Sequence, residues 1–168
     1  SNTHGIHTLG VMAVNSGILI ASKDCHEKTN EIVIIPQMLE LLNLKGTTVT
    51  LDAMGTQTEI ASMIAARGGD YILGLKLNQK NLYADALALF EKTMDTVDKR
   101  DESVYFRDIN KGHGRIEERE TFVMRDLSSI RSVGRWTNVS YIAAIKRTVT
   151  KLNPKQYQKA VTVETEFY

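Results

Sequence analysis

One acidic residue stands where α/β proteins often carry out chemistry. The run TTVTL, residues 47–51, is hydrophobic and β-branched, and it is followed at once by Asp52. Gly55 then breaks the pattern before a helical period begins. In open α/β sheets, ligands and metal ions gather at the carboxyl ends of parallel strands. Asp52 is therefore a candidate metal ligand. The alternative is a turn acid, because aspartate favours strand ends and accepts amide hydrogens from the next turn.

A single carboxylate is a poor magnesium site. Divalent sites in phosphoryl-transfer enzymes combine two or more acids with water and substrate oxygens. Glu27, Glu31 and Asp70 are further acids in the same half of the chain, but nothing in their spacing brings them to Asp52. The residues alone leave both interpretations of Asp52 open.

Two other groups of residues could bind phosphate. Lys28 and Asn30 lie where a predicted strand gives way to a helix, and a helix start can bind a phosphate or simply be capped. Arg115 follows His113 and Gly114 in a predicted turn, and its guanidinium could hold a phosphate through two parallel hydrogen bonds.

Hydrophobic periodicity predicts the elements that position these residues. The order to about residue 95 is ββαβαβα, with an opening antiparallel hairpin. Strand-helix-strand steps imply parallel pairing, so we predict a mixed sheet with helices on its faces. Lys76, Asn78 and Gln79 would then lie at the same sheet edge as Asp52. The predicted strands are 7–14, 18–25, 47–52 and 70–76, and the predicted helices lie within 26–46, 56–69 and 78–94.

The chain changes character after residue 95. Alternating patterns predict an antiparallel, β-rich part with strands at 104–110, 115–127, 139–150 and 160–168. The last of these patterns runs to the final residue, so we expect a longer parent protein. Residues 1–102 hold 9 Lys/Arg against 13 Asp/Glu, whereas residues 103–159 hold 12 against 5. This asymmetry fits either a polyanion partner or a solvated basic face.

Composition narrows the class further. The 168 residues suffice for one domain with a substantial core, and no apolar run approaches a membrane span. The single cysteine, Cys25, excludes an internal disulfide framework and a multi-cysteine zinc site. We therefore expect a cytoplasmic protein with no membrane partner.

Four motifs in order resemble one protein family. VTLDAMGTQTEIA at 49–61 and GGDYILGLKLNQ at 68–79 are similar to the core of DDE transposases. The likeness is to the bacterial insertion-sequence group that includes the H-repeat-associated proteins. EKTNEI at 27–32 and HGRIEER at 113–119 match further motifs of that group.

The resemblance implies a fold and a chemistry. The fold is α/β and ribonuclease H-like, a five-stranded mixed sheet flanked by helices with a β-rich insertion in the C-terminal half. Residues 1–95 would be a partial catalytic core, and residues 96–168 the insertion and the start of the return to the core. The family's active site holds two Mg²⁺ ions on three acids, of which Asp52 matches the second. The other two lie outside this sequence, so we expect the chain alone to be inactive and not to bind Mg²⁺.

The resemblance also implies DNA, specifically transposon ends, as the partner, and it allows a homodimer around paired ends. Two alternatives are a non-catalytic DNA-binding remnant and an α/β protein-interaction domain in which Asp52 is a structural turn acid. The residues expected to contact DNA are Lys28, Asn30, Lys76, Asn78, Gln79, His113 and Arg115.

Overall fold

A computed structural model describes residues 7–25, 31–112, 114–153 and 158–168. The chain divides into two compact units, Ser1–Leu73 and Gly74–Tyr168. The predicted division at residue 95 concerns where an inserted segment begins, and it stays a prediction. Within the described residues, no helix is both long and apolar enough to cross a membrane.

The first unit opens with the predicted antiparallel hairpin. The two strands pair from His7 with Cys25 to Ala13 with Ile18, with one irregularity between Val11 and Met12. Gly17 adopts φ +66° in the connecting turn, a conformation that costs glycine little. The hairpin prediction is confirmed. Its strands are β1 (His7–Ala13) and β2 (Ile18–Cys25).

The first helix, α1 (Glu31–Glu40), packs against two different groups of strand residues. Ile35 and Leu39 belong to a core cluster with Val49, Leu51 and Tyr71 on the flanks. The same helix turns a second pair of side chains towards the hairpin. Ile32, near the start of this helix, is 40% exposed. The hairpin cluster consists of Ile34 and Met38 with Leu9, Val11 and Ala21.

The next two strands are parallel, as the strand-helix-strand pattern predicts. Strand β3 (Thr48–Leu51) pairs with β4 (Asp70–Leu73) from Thr48 with Asp70 to Leu51 with Leu73. The connecting helix α2 (Thr58–Ala66) buries Ile60 and Ile64. Gly68 ends the crossover at φ +75°.

The single mixed sheet predicted for this unit is not what the structure shows. β1 and β2 form one two-stranded sheet, and β3 and β4 form another. Among the described residues, neither pair has a further strand at its outer edges. Alternation in a sequence identifies a strand but not its neighbour, because pairing depends on residues far apart in the chain. The mixed α/β class itself is confirmed.

The second unit contains a long helix and a four-stranded antiparallel sheet in the order β5-β6-β7-β8. The β-rich prediction for this part is confirmed. Leu75 continues the chain into this unit, and its N–H donates to the carbonyl of Phe167 at 2.8 Å. The elements are α3 (Lys80–Thr96), β5 (Tyr105–Gly112), β6 (Arg115–Met124), β7 (Ile142–Asn153) and β8 (Gln158–Phe167).

Aromatic side chains hold α3 against one face of this sheet. Phe90 of α3 lies edge-on to Phe122 of β6 and Phe167 of β8, with ring centroids 5.3 and 5.7 Å apart. Tyr105 packs on Phe122 in the same manner. Strand alternation therefore leaves the opposite sheet face for residues such as Arg115, Glu117 and Arg119, which are shifted by one position from the core residues.

Candidate functional site

Asp52 lies at the rim of the parallel strand pair. Leu51 pairs with Leu73, so β3 and β4 end at the same edge of their sheet. Asp52 follows Leu51 directly, and its side chain is exposed. The predicted location at a carboxyl strand end is therefore what the structure shows.

The carboxylate of Asp52 also shapes the turn that follows it. Its Oδ1 accepts a hydrogen bond from the N–H of Met54 at 3.1 Å, capping a short 3₁₀ turn over Ala53–Gly55. The Gly55 N–H and the Thr56 hydroxyl donate to the Asp52 carbonyl at 3.1 and 3.3 Å. Asp52 is therefore a turn acid whose second carboxylate oxygen, Oδ2, is not used by the bond to Met54.

The acids in the described part of the chain do not by themselves fit a magnesium centre. Over residues 7–25, 31–112, 114–153 and 158–168, no group of three or more His, Cys, Asp or Glu side chains could hold a metal ion. Asp70 pairs with Thr48 and so begins β4 at the edge opposite to Asp52. Glu31 begins α1, and Glu27 lies outside the described residues.

The predicted DNA contacts fall into three groups: residues around one short turn, residues outside the described ranges, and Arg115. Lys76 and Asn78 are exposed and Gln79 is half-buried, around a short 3₁₀ turn at the start of the second unit. The N–H of Gln79 donates to the carbonyl of Lys76 at 3.0 Å. That these residues share an edge with Asp52 stays a prediction. The candidates Lys28, Asn30 and His113 lie outside the described residues.

Arg115 belongs to a charged cluster on the face of the four-stranded sheet that lies opposite to α3. Its Nη2 lies 3.7 Å from Oε2 of Glu117. Arg147 donates two hydrogen bonds to the same carboxylate, from Nε to Oε1 at 3.0 Å and from Nη2 to Oε2 at 3.1 Å. Arg119 is a third ion-pair partner of Glu117, through Nη2 and Oε1. We call these four residues the Glu117 cluster.

Electrostatics in the Glu117 cluster favour the ionised acid. Glu117 is only 6% exposed, and burial alone would raise its pKa. The hydrogen bonds from Arg147 outweigh burial, and the charges of Arg119, Arg147 and Arg115 add to them, so the pKa of Glu117 is lowered. Arg147 is also bonded through Nη1 to Oε2 of Glu164 at 3.2 Å. The carboxylate thus holds three guanidinium groups together.

The sequence identified Arg115 as a candidate but did not identify Glu117 as the acid that binds it. The signal was present, because Arg115, Glu117 and Arg119 alternate along one predicted strand and must share a face. Arg147 could not be added from its own position, since its place beside Arg119 depends on the β6–β7 register.

These features define a mixed α/β protein with an exposed acid at a parallel strand end and an arginine cluster on an antiparallel sheet. The family model described as "Transposase DDE domain" matches residues 1–164. The chain belongs to this family of DDE transposases, and the resemblance to the group containing H-repeat-associated proteins is confirmed.

Similar proteins occur in Xanthobacter autotrophicus and in Escherichia coli. The "Uncharacterized protein in dhlA 3'region" of Xanthobacter autotrophicus is 33% identical over 84% of this chain and 46% of its own length. The "H repeat-associated putative transposase YhhI" of Escherichia coli K12 is 39% identical over 46% of this chain and 20% of its own. The chain thus spans less than half of these relatives. No solved structure matches it.

Proposed function

We propose that this chain is the central part of a DNA transposase whose complete form cleaves and transfers DNA strands with Mg²⁺. The observation that supports the proposal is Asp52, an exposed carboxylate at the carboxyl end of the parallel pair, in a chain that belongs to the DDE family. The cytoplasmic location, the homodimer and the transposon ends as partner are expectations of the same proposal.

The arrangement of the first unit supports a ribonuclease H-like fold. Helix α1 packs against the hairpin through Ile34 and Met38 and against the β3–β4 region through Ile35 and Leu39. One helix thus lies against both two-stranded sheets. A five-stranded mixed sheet needs one strand more than these four. A strand between the two pairs would complete that sheet beneath α1.

The second unit supports the view that residues 96–168 are an insertion that returns to the core. The four-stranded sheet lies between Leu75 and Phe167 in the sequence, and these two residues form an antiparallel bridge. The bridge brings the end of β8 back to the segment that follows β4. This is the connectivity expected of a segment inserted before a further core element.

The catalytic role of Asp52 is testable in the full-length protein. Asp52→Asn retains an oxygen that can accept the Met54 hydrogen bond but removes the charge that a metal ion needs. We expect the wild type to nick supercoiled plasmid DNA with Mg²⁺ and the variant to lose this activity by a factor of about 1,000 or more. Asp126→Asn is the matched control, because Asp126 accepts the Ser128 N–H at 3.1 Å in a similar turn.

The outcomes separate the proposed function from its alternatives. Cleavage that survives in Asp52→Asn excludes Asp52 from the active site and leaves it the role of turn acid, which its hydrogen bond to Met54 already supports. A full-length wild type that binds DNA but never cuts it indicates a DNA-binding remnant. A wild type that does neither indicates a protein-interaction domain.

A further inference from the structure

The Glu117 cluster gathers more guanidinium groups than its carboxylate needs. Arg147 alone satisfies both oxygens of Glu117 in a two-bonded geometry. Arg115 and Arg119 add two further charges to the same buried acid, although like charges held close together repel. A single structural ion pair requires neither of them, so their position at this carboxylate calls for another explanation.

The two additional arginines remain accessible to a ligand. Their side chains are 49% and 48% exposed, whereas that of Glu117 is 8% exposed. A guanidinium carries five N–H donors, and each of these two arginines directs one nitrogen at Glu117. About half of each side chain is therefore open to solvent. The buried acid fixes the guanidinium groups in place and leaves their outer donors available.

The surrounding face is also cationic where it is exposed. Lys151 of β7 pairs in register with Arg115 and is exposed. Glu164 and Asp108 lie beside Arg147 and Arg119 on the same face. Glu166 lies on this face as well, so the face carries four cations and four carboxylates, of which Glu117 is buried. Its exposed charged side chains are three cations, Arg115, Arg119 and Lys151, and two acids, Glu164 and Glu166. A polyanion that reaches the exposed side chains would therefore meet one more positive charge than negative charge, with the positive charges at Arg115, Arg119 and Lys151.

We propose that Arg115 and Arg119, held by Glu117, bind the phosphate backbone of duplex DNA on the sheet face opposite to α3. This inference rests on the proposed function, because it takes DNA as the partner. The two arginines are four residues apart on one strand, a distance of about 13 Å. One DNA strand presents roughly four phosphates over that axial length. Backbone contacts of this kind position the DNA without reading its sequence.

Salt-dependent binding of a duplex of arbitrary sequence tests the proposal with the 168-residue chain. Each lost phosphate contact should lower the slope of log K against log salt by about 0.9. Arg115→Ala/Arg119→Ala should therefore lower the slope by about 2 and weaken binding roughly tenfold or more. Arg115→Lys/Arg119→Lys retains both charges and should retain most of the slope.

Arg107→Ala is the matched control for this measurement. Arg107 belongs to the same sheet and is 50% exposed, but it lies on the other face and pairs with Glu118. We expect it to leave DNA binding unchanged. Circular dichroism verifies that each variant is folded. Equal losses in Arg107→Ala and in the double variant would overturn the inference, as would an unchanged double variant. A 168-residue wild type without salt-sensitive DNA binding would overturn the inference alone, because the proposed function is tested separately by DNA cleavage in the full-length protein.

Discussion

The structural role of Asp52 is compatible with its proposed chemical role at the level of single atoms. The hydrogen bond from the Met54 N–H fixes the carboxylate through Oδ1. An acid already oriented by its own turn loses little further freedom when it binds a cation. The turn-acid interpretation and the metal-ligand interpretation therefore do not exclude each other. Only a change that preserves the turn while removing the charge distinguishes them.

Glu117 is expected to make stability depend on pH through its arginines. Its folded-state pKa lies below the usual value, so the stabilisation it provides is present above its unfolded pKa and is lost as the pH falls through the folded one. Glu117→Gln should lower the urea midpoint at pH 7 because three guanidinium groups then face a neutral amide. The gap between variant and wild type should close towards pH 2.

Glu164→Gln is the control for this pH series. Glu164 contacts Arg147 as well, but its side chain is 59% exposed, so its ion pair is screened by solvent. We expect a much smaller change in the midpoint at every pH. If Glu117→Gln lowered the urea midpoint by the same amount from pH 7 to pH 2, the shape of the Glu117 side chain and not its charge would account for its effect on stability.

At the level of elements, the sequence predicts what depends on neighbours in the chain and fails where distant residues decide. The hairpin over β1 and β2, the parallel β3–β4 step and the antiparallel β-rich part follow from local alternation and helical period. The separation into three sheets does not, because strand pairing is non-local. The position of Asp52 at its strand end could be predicted because it depends on neighbouring residues in the chain. The ion pair between Glu117 and Arg147 could not be predicted because it depends on the pairing of two strands.

The turn after β3 requires a glycine at position 55 because there is no room for a Cβ atom. A Cβ built on Gly55 would lie 2.9 Å from the Leu51 Cβ and 3.3 Å from the Ile35 Cδ1. Gly55→Ala should therefore push β3 away from α1 and lower the free energy of unfolding by about 1–3 kcal/mol. Urea denaturation followed by circular dichroism measures the loss.

Gly112→Ala provides the comparison for Gly55→Ala. A Cβ at Gly112 would meet nothing within 4 Å, so the same chemical change should be close to neutral there. In the full-length protein, Gly55→Ala should also reduce DNA cleavage, because the turn it distorts is the one that orients Asp52. Equal free energies of unfolding for Gly55→Ala and Gly112→Ala would show that the turn after β3 accommodates a Cβ atom without loss of stability.

On the scale of the whole molecule, charge divides unevenly between the two units. Ser1–Leu73 carries a formal charge of −3 and Gly74–Tyr168 one of +4. Duplex DNA is a dense line of negative charge, and binding is driven largely by cations that displace its counterions. We therefore expect the second unit to supply most of the DNA contact, although the acid at the centre of the proposed chemistry belongs to the first.

Lysine acetylation of the whole chain, followed by mass spectrometry with and without duplex DNA, tests this expectation. Lys45 in the first unit and Lys111 and Lys151 in the second are all exposed. Lys151 lies on the face of the Glu117 cluster, and Lys111 on the other face of the same sheet. DNA should slow the acetylation of Lys151 several-fold and leave the acetylation rates of Lys45 and Lys111 nearly unchanged, because only a bound phosphate backbone shields an amine locally.

Protection of Lys45 in place of Lys151 would place the DNA on the acidic unit and contradict the charge argument. Equal protection of Lys111 and Lys151 would show that DNA does not distinguish the two faces of the sheet.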